Sequence, residues 1–321
     1  MNKKIIIIAG DPNSINSEII SKTWKKINPG LKKKIYLIAN FKLILNQFKK
    51  INANIKITRV DNIDDIPVSN KLKIIDIPLN FKNPFDVSFL NSKKYIIKSF
   101  NLAHDLSKSK FVKGLINCPI NKKLLGDTKK IGVTEFLASK CKIKDNSEAM
   151  LIHNKNLSVL PLTTHIKLKH ISKKINKNLI IKKLKTLKKD FKKIFNKNPK
   201  IGVLGLNPHN AELINNSEEK KEIVPAILKL KKEGFKIEGP LSADTVFIKN
   251  YKNYDVIVGM YHDQVLAPFK SLFHFDAINI TLGLKYVRVS PDHGPGIDIM
   301  KKNKANYSSL LRCVKFINNI N

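Results

Sequence analysis

The sequence predicts an α/β fold, and three observations carry that expectation. Short apolar runs rich in Val, Ile and Leu alternate with amphipathic stretches from end to end. The runs have the length and composition of buried parallel strands. Three of them end on a histidine: LSVLPLTTH at His165, IGVLGLNPH at His209 and YDVIVGMYH at His262. A chain of 321 residues suits two α/β units or one large one.

Residues 4–9 read as the first strand. Their apolar run is too short for a signal-peptide core and enters a Gly-Asp-Pro turn. Residues 17–28 read as a helix with Ile20, Trp24 and Ile27 on one face. Residues 34–39 and 73–77 are further strands, and 93–107 look helical. Residues 112–116 form a strand that runs into Asn-Cys-Pro-Ile-Asn-Lys. The clearest helix spans 171–195: Ile171, Ile175, Leu179, Leu184, Leu187, Phe191 and Ile194 recur every three to five residues, and lysines fill the solvated face. Residues 218–233 form another helix, ended by Gly234. Residues 277–282 are a late strand. There is no internal repeat, no long linker and no apolar stretch of membrane-spanning length.

Charge and cysteine content narrow the classes. The formal net charge is +35, which invites a nucleic-acid reading. The excess is nearly all lysine, 57 residues against the three arginines Arg59, Arg288 and Arg312. The lysines are dispersed, Asn and Ile are abundant too, and biased codon usage produces such a pattern by itself. No aromatic RNA-binding motif or zinc-finger spacing appears, so no specific nucleic-acid partner is expected. Cys118, Cys141 and Cys313 are odd in number, far apart and form no CxxC pair. That fits a reducing compartment and argues against a disulfide framework.

Open α/β sheets bind ligands at the carboxyl ends of their strands. Three imidazoles brought to that edge can hold one divalent metal. The gaps between His165, His209 and His262 are 44 and 53 residues. They are too long for a local metal loop and suit about one βαβ unit each. Other strand-end segments are GDP (10–12), CPINK (118–122), GVTEFLA (132–138), TTH (163–165), NPHNAE (207–212), GPLSADT (239–245), MYHDQ (260–264), NITLG (279–283) and SPDHGPGID (290–298).

Taken in order, these segments resemble the NAD-dependent 4-hydroxythreonine-4-phosphate dehydrogenases of vitamin B6 synthesis, over nearly the whole chain. The resemblance implies a metal on His165, His209 and His262, the third donated by the partner subunit of a homodimer. Zn, Co or Mg would serve. It implies substrate contacts at Lys270, Asn279, Arg288 and Thr134. A phosphate takes lysine as a point charge and arginine as a bidentate fork, and arginine is scarce in this chain. Asp244 and Asp263 are carboxylates near the inferred site. They and Lys270 are the candidates for proton transfer, and Asp263 could also orient a metal-bound histidine. Lys122, Asp292 and His293 rank below them.

Three departures from the family pattern stand out. Val133 replaces the histidine of GHTE. GDPNSINSE replaces the glycine-rich GDPAGIGPE. MKKNKAN, residues 300–306, replaces a segment close to AGTGKAD, and the lost glycines bear on the nucleotide site.

The resemblance further implies a fold like that of the isocitrate and isopropylmalate dehydrogenases, two α/β/α domains with a cleft between them. The expected domains are 1–125 plus 295–321, and 126–294 with the histidines. The implied reaction oxidises 4-phosphooxy-L-threonine with NAD, or NADP, to a β-keto acid that decarboxylates to 3-amino-2-oxopropyl phosphate. A cytoplasmic enzyme of pyridoxal 5'-phosphate synthesis is expected. Two alternatives stay open: a paralogous dehydrogenase of a threonate or erythronate phosphate, and a non-catalytic basic binding protein.

Overall fold

The computed structural model describes residues 3–65, 70–126, 132–143, 146–274 and 276–320. Six of its strands are β1 (Lys4–Ile8), β2 (Ile35–Ala39), β3 (Ile57–Val60), β4 (Leu72–Asp76), β5 (Val112–Asn117) and β6 (Ala149–His153). The other six are β7 (Ser158–Thr163), β8 (Ile201–Leu204), β9 (Ile237–Leu241), β10 (Val256–Tyr261), β11 (Ile278–Leu282) and β12 (Arg288–Pro291). The chain divides into two compact units, Met1–Cys141 with Leu284–Ile320, and Lys142–Gly283.

The first unit carries strands in the order β3-β4-β2-β1-β5-β12, all parallel. Its centre is β1 and β2, where Ile5, Ile6, Ile8, Tyr36, Leu37 and Ile38 are fully buried. Each such side chain contributes roughly 1.5–3 kcal/mol of burial. Helices Asn16–Lys26, Phe41–Lys50, Phe89–Ser107 and Ser308–Asn319 belong to this unit. Asn40 and Ser88 cap the second and third of these, accepting from Leu43 N at 2.9 Å and Asn91 N at 3.4 Å.

Sequence expectation put the domain edges at 125/126 and 294/295, whereas the units meet at 141/142 and 283/284. Helix Val133–Lys140 stays with the first unit, where Phe136 stands edge-on to Phe100 with ring centroids 5.9 Å apart. Strand β12 stays there too, because it pairs with β5.

The second unit carries strands in the order β11-β6-β7-β10-β8-β9. Strands β7, β10, β8 and β9 run parallel, while β6 runs antiparallel to both β7 and β11. Helix Lys177–Phe195 buries Leu184, Leu187, Phe191 and Ile194 as the periodicity requires, with Ile180 buried in place of the expected Leu179. The expected single helix over 171–195 is two, Ile171–Lys174 and Lys177–Phe195. Asn176 breaks it: its backbone is extended, and its side chain accepts from Leu179 N at 2.9 Å, starting a new helix.

The helix expected over 218–233 opens as a π turn, Glu219–Ile223, before regular helix Val224–Lys232. Pro225 lacks an N–H, so the α-type bond to the preceding turn cannot form there. Gly234 follows with φ +73°.

Candidate active site

The parallel order β7-β10-β8 puts the three motif histidines past the carboxyl ends of three neighbouring strands. His165 lies two residues beyond β7, and His262 opens helix His262–Phe273 directly after β10. His209 sits in the turn Pro208–Leu213 after β8. The structure brings His165 and His262 together within one chain, ring centroids 6.0 Å apart and planes 35° from parallel. Thr163 Oγ1 donates to Met260 O at 2.7 Å and ties the two strand ends.

Two imidazoles sharing one ion at about 2.1 Å per bond have centroids roughly 5 Å apart. This pair is about 1 Å wider, within reach of small side-chain motion. The imidazole nitrogens fit a transition metal such as Zn or Co. His209 is not drawn into the pair. Among the described residues, no group of three or more His, Cys, Asp or Glu side chains could hold a metal ion.

The His209 turn is unusual. His209, Asn210, Ala211, Glu212 and Leu213 all have positive φ, from +46° to +57°. His165 is left-handed as well, at +43°. A left-handed L-residue costs roughly 1–2 kcal/mol, less for Asn. Such strain persists only where the surroundings over-determine it, and it concentrates at functional sites.

The supports are visible. Glu219 is fully buried. Its Oε1 accepts from Leu206 N and Asn207 N, both at 2.8 Å, and its Oε2 from Asn207 Nδ2 at 3.0 Å. Burial would raise the pKa of this carboxyl, but these donors outweigh it and hold it below its ordinary value. Gln264 donates to Gly205 O at 2.8 Å and accepts from Met260 N at 2.7 Å. The side chain of Asn210 packs against Gly205, where a Cβ would displace it.

The remaining candidates are scattered more widely. Asp263 is exposed, with its Oδ1 3.1 Å from His262 Nδ1, as an orienting carboxylate requires. Asp244 is exposed in the first turn of Ala243–Val246. Lys270 lies on the His262–Phe273 helix. Asn279 lies on β11, and its buried Oδ1 has no hydrogen-bond partner among the described residues, which leaves an acceptor for a ligand.

In the first unit, Val133 and Thr134 open helix Val133–Lys140. Arg288 is an interior residue, 2% exposed, whose Nε donates to Asn117 Oδ1 at 2.6 Å. Burial lowers its pKa to about 10. Of the lower-ranked residues, His293 has a buried Nε2 without a partner among the described residues.

The first unit's own strand ends are tightly built. Gly10 has φ +78°, and a Cβ there would stand 2.6 Å from Pro119 O. Asp11 accepts from Asn13 N at 2.9 Å and Asn121 N at 3.1 Å, joining the GDP and CPINK loops. Burial raises its pKa against those bonds.

Where the family pattern has glycines, Ser14 and Asn16 turn inward: Ser14 Oγ donates to Asp11 O at 2.6 Å, Asn16 Nδ2 to Pro119 O at 2.8 Å. The second glycine-poor segment is left-handed at two positions. Lys301 and Asn303 stand at the positions of the family's glycines and adopt φ +68° and +56°. Glu18 and Lys22 clamp that segment through Ala305 N at 2.7 Å and Asn303 O at 3.0 Å.

The fold and the strand-end histidines define an α/β protein with candidate ligand groups at the carboxyl ends of parallel strands. An isocitrate dehydrogenase of Methylococcus capsulatus shares the fold, with a TM-score of 0.51 at 10% identity over 98% of this chain and 84% of that one. The model of the pyridoxal phosphate biosynthetic protein PdxA family matches residues 31–317, and the chain belongs to that family.

Among its relatives, the 4-hydroxythreonine-4-phosphate dehydrogenase of Sulfurihydrogenibium sp. is 37% identical, aligned over 97% of this chain and 96% of its own length. That of Aquifex aeolicus is 36% identical over 100% and 99%. A provisionally assigned D-threonate 4-phosphate dehydrogenase of Oceanobacillus iheyensis is 30% identical over 98% and 97%. The crystal structure of a 4-hydroxythreonine-4-phosphate dehydrogenase from Klebsiella pneumoniae superposes with a TM-score of 0.84 at 28% identity, covering 98% of both chains.

Sequence reasoning missed Glu219 and gave Gln264 no role. Glu219 sits in the run SEEKKE, which reads as a solvated helix face, so nothing in the letters marks it as buried. Gln264 lies inside a quoted motif, and its spacing after His262 was the available signal.

Proposed function

We propose that this chain oxidises 4-phosphooxy-L-threonine with NAD as hydride acceptor, yielding a β-keto acid that decarboxylates to 3-amino-2-oxopropyl phosphate. The observation that carries this is the row of three histidines past the carboxyl ends of the neighbouring strands β7, β10 and β8. The relatives at 36–37% identity support this substrate over a threonate phosphate, whose relative stands at 30%.

His165, His209 and His262 are the residues that would hold a divalent ion such as Zn, Co or Mg. A bound ion lowers the pKa of a coordinated hydroxyl and steadies negative charge on the oxygen. Asp263 orients the His262 ring through Nδ1, leaving Nε2 for the metal. Asp244 or Lys270 takes the hydroxyl proton. Asn279 offers Oδ1 to a substrate donor, and Thr134 hydrogen-bonds the substrate. Lys270 and Arg288 balance the phosphate charge, Arg288 from inside its unit.

A homodimer with a shared site follows from the same reading. No single chain gathers three metal ligands among its described residues. The residues that follow the histidines are large, apolar and exposed: Ile166 and Leu168 after His165, Leu213 and Ile214 after His209. Exposed large apolar side chains beside these histidines support an interface there. Three cysteines, all buried and unbridged, support a reducing compartment, and we infer the cytoplasm.

The test is NADH absorbance with 4-phosphooxy-L-threonine, with and without a chelator. Turnover that needs metal is expected, and no NADH with Zn, Co or Mg refutes the proposal. Mixing inactive His165→Ala and His262→Ala proteins should restore some activity. No recovery from any pairing of the three histidine variants would end the shared-site reading.

A further inference from the structure

We propose that Glu219 and Gln264 are positioning residues that brace the His209 turn against the start of the His262 helix. The inference rests on the metal reading above. The turn is five consecutive left-handed residues, 209–213, a conformation the chain does not hold by local preference. The three residues before Pro208 are gripped one after another. Gly205 O is held by Gln264, Leu206 N by Glu219, and Asn207 by Glu219 through both its backbone N–H and its side chain. Glu218 adds a second acceptor for Asn207 Nδ2 at 2.9 Å.

The choice of side chains is informative. Glu219 is a fully buried carboxylate with no cationic partner among the described residues, satisfied by N–H donors. Charge-assisted bonds of this sort fix a backbone more firmly than neutral ones. The buried negative charge also favours a cation at the same strand end. The π turn that begins at Glu219 is the kind of local irregularity that re-aims a side chain toward a functional site.

Gln264 has the complementary task. It lies two residues past His262 and bonds Met260 N with one end and Gly205 O with the other. One side chain therefore links the carboxyl end of β10 to that of β8. The same side chain that fixes the end of β10 thus also holds the residue from which the chain enters the His209 turn.

The experiment is equilibrium dialysis of Co(II) against the full-length protein. It is paired with the melting temperature of the chelator-treated protein. Glu219→Gln and Gln264→Leu should each raise the cobalt Kd about 10- to 100-fold, the range for residues that orient metal ligands. Glu219→Asp, with the charge kept and the reach shortened, should fall between them and wild type. A Kd within twofold of wild type in the folded variants overturns the inference, even if they melt earlier, because a structural role alone would do that. If Glu219→Gln does not fold, Gln264→Leu and Glu219→Asp decide. Wild-type protein that binds no cobalt, or His209→Ala that binds it normally, refutes the metal reading instead.

Discussion

Ala211 offers a direct measure of the strain in the histidine turn. It is a non-glycine residue held at φ +46°, in the middle of the left-handed stretch. Ala211→Gly removes a Cβ clash of roughly 1–2 kcal/mol per residue. It also gives the unfolded chain more freedom, which takes back about 0.5–1 kcal/mol. The net expectation is a gain of about 1 kcal/mol. With a urea slope of about 2–3 kcal/mol/M, the unfolding midpoint should rise by roughly 0.3–0.5 M at unchanged slope. Ala211→Val should move the other way by more, because a β-branched residue resists positive φ. The assay is urea unfolding followed by circular dichroism in the presence of a chelator. A Gly variant that is destabilised by 1 kcal/mol or more would refute the left-handed turn.

Three further outcomes are expected. His153 packs against Phe195 and its Nδ1 lies 2.8 Å from Ser158 Oγ; burial, then Lys197, lower its pKa to about 4. The folded value lies below the unfolded one of about 6.5, so this stabilisation is complete above that pH and is lost as pH falls toward 4. Up to about 3 kcal/mol should disappear over that window, and a His153→Gln variant that shows the same loss would disprove it. Gly10→Ala should cost more than about 3 kcal/mol, from the φ of +78° and the close Pro119 carbonyl together; a melting temperature within two degrees of wild type would contradict the tight turn. Lys301→Gly should stabilise the first unit by about 0.5–1 kcal/mol in the same urea assay, and a loss would mean the left-handed angle there is wrong.

Much of the fold was legible because burial writes itself into composition. Strands β1, β2, β5, β7, β8 and β10 are runs of Ile, Val and Leu with little to confuse them. Strands β3, β9 and β12 were not read, being short and mixed: ITRV, IEGPL and RVSP lack the apolar run that marks a central strand, and the five-residue β6, AMLIH, was not read either. Strand β6 turns back on β7 as a short hairpin, whereas its antiparallel pairing with β11 is long-range, which no local pattern encodes.

At the site, the histidines were visible because each follows a strong strand. The interior setting of Arg288 was not, since a scarce arginine reads the same whether it faces water or Asn117. Nor was the break at Asn176, where one capping side chain outweighs an unbroken apolar period.

The backbone at 301 and 303 carries a wider lesson. Lysine and asparagine there follow a route that glycine travels more cheaply. The left-handed torsions of this loop are therefore invisible in its letters. Searches keyed to glycine letters pass over such a loop, and searches keyed to torsion angles find it.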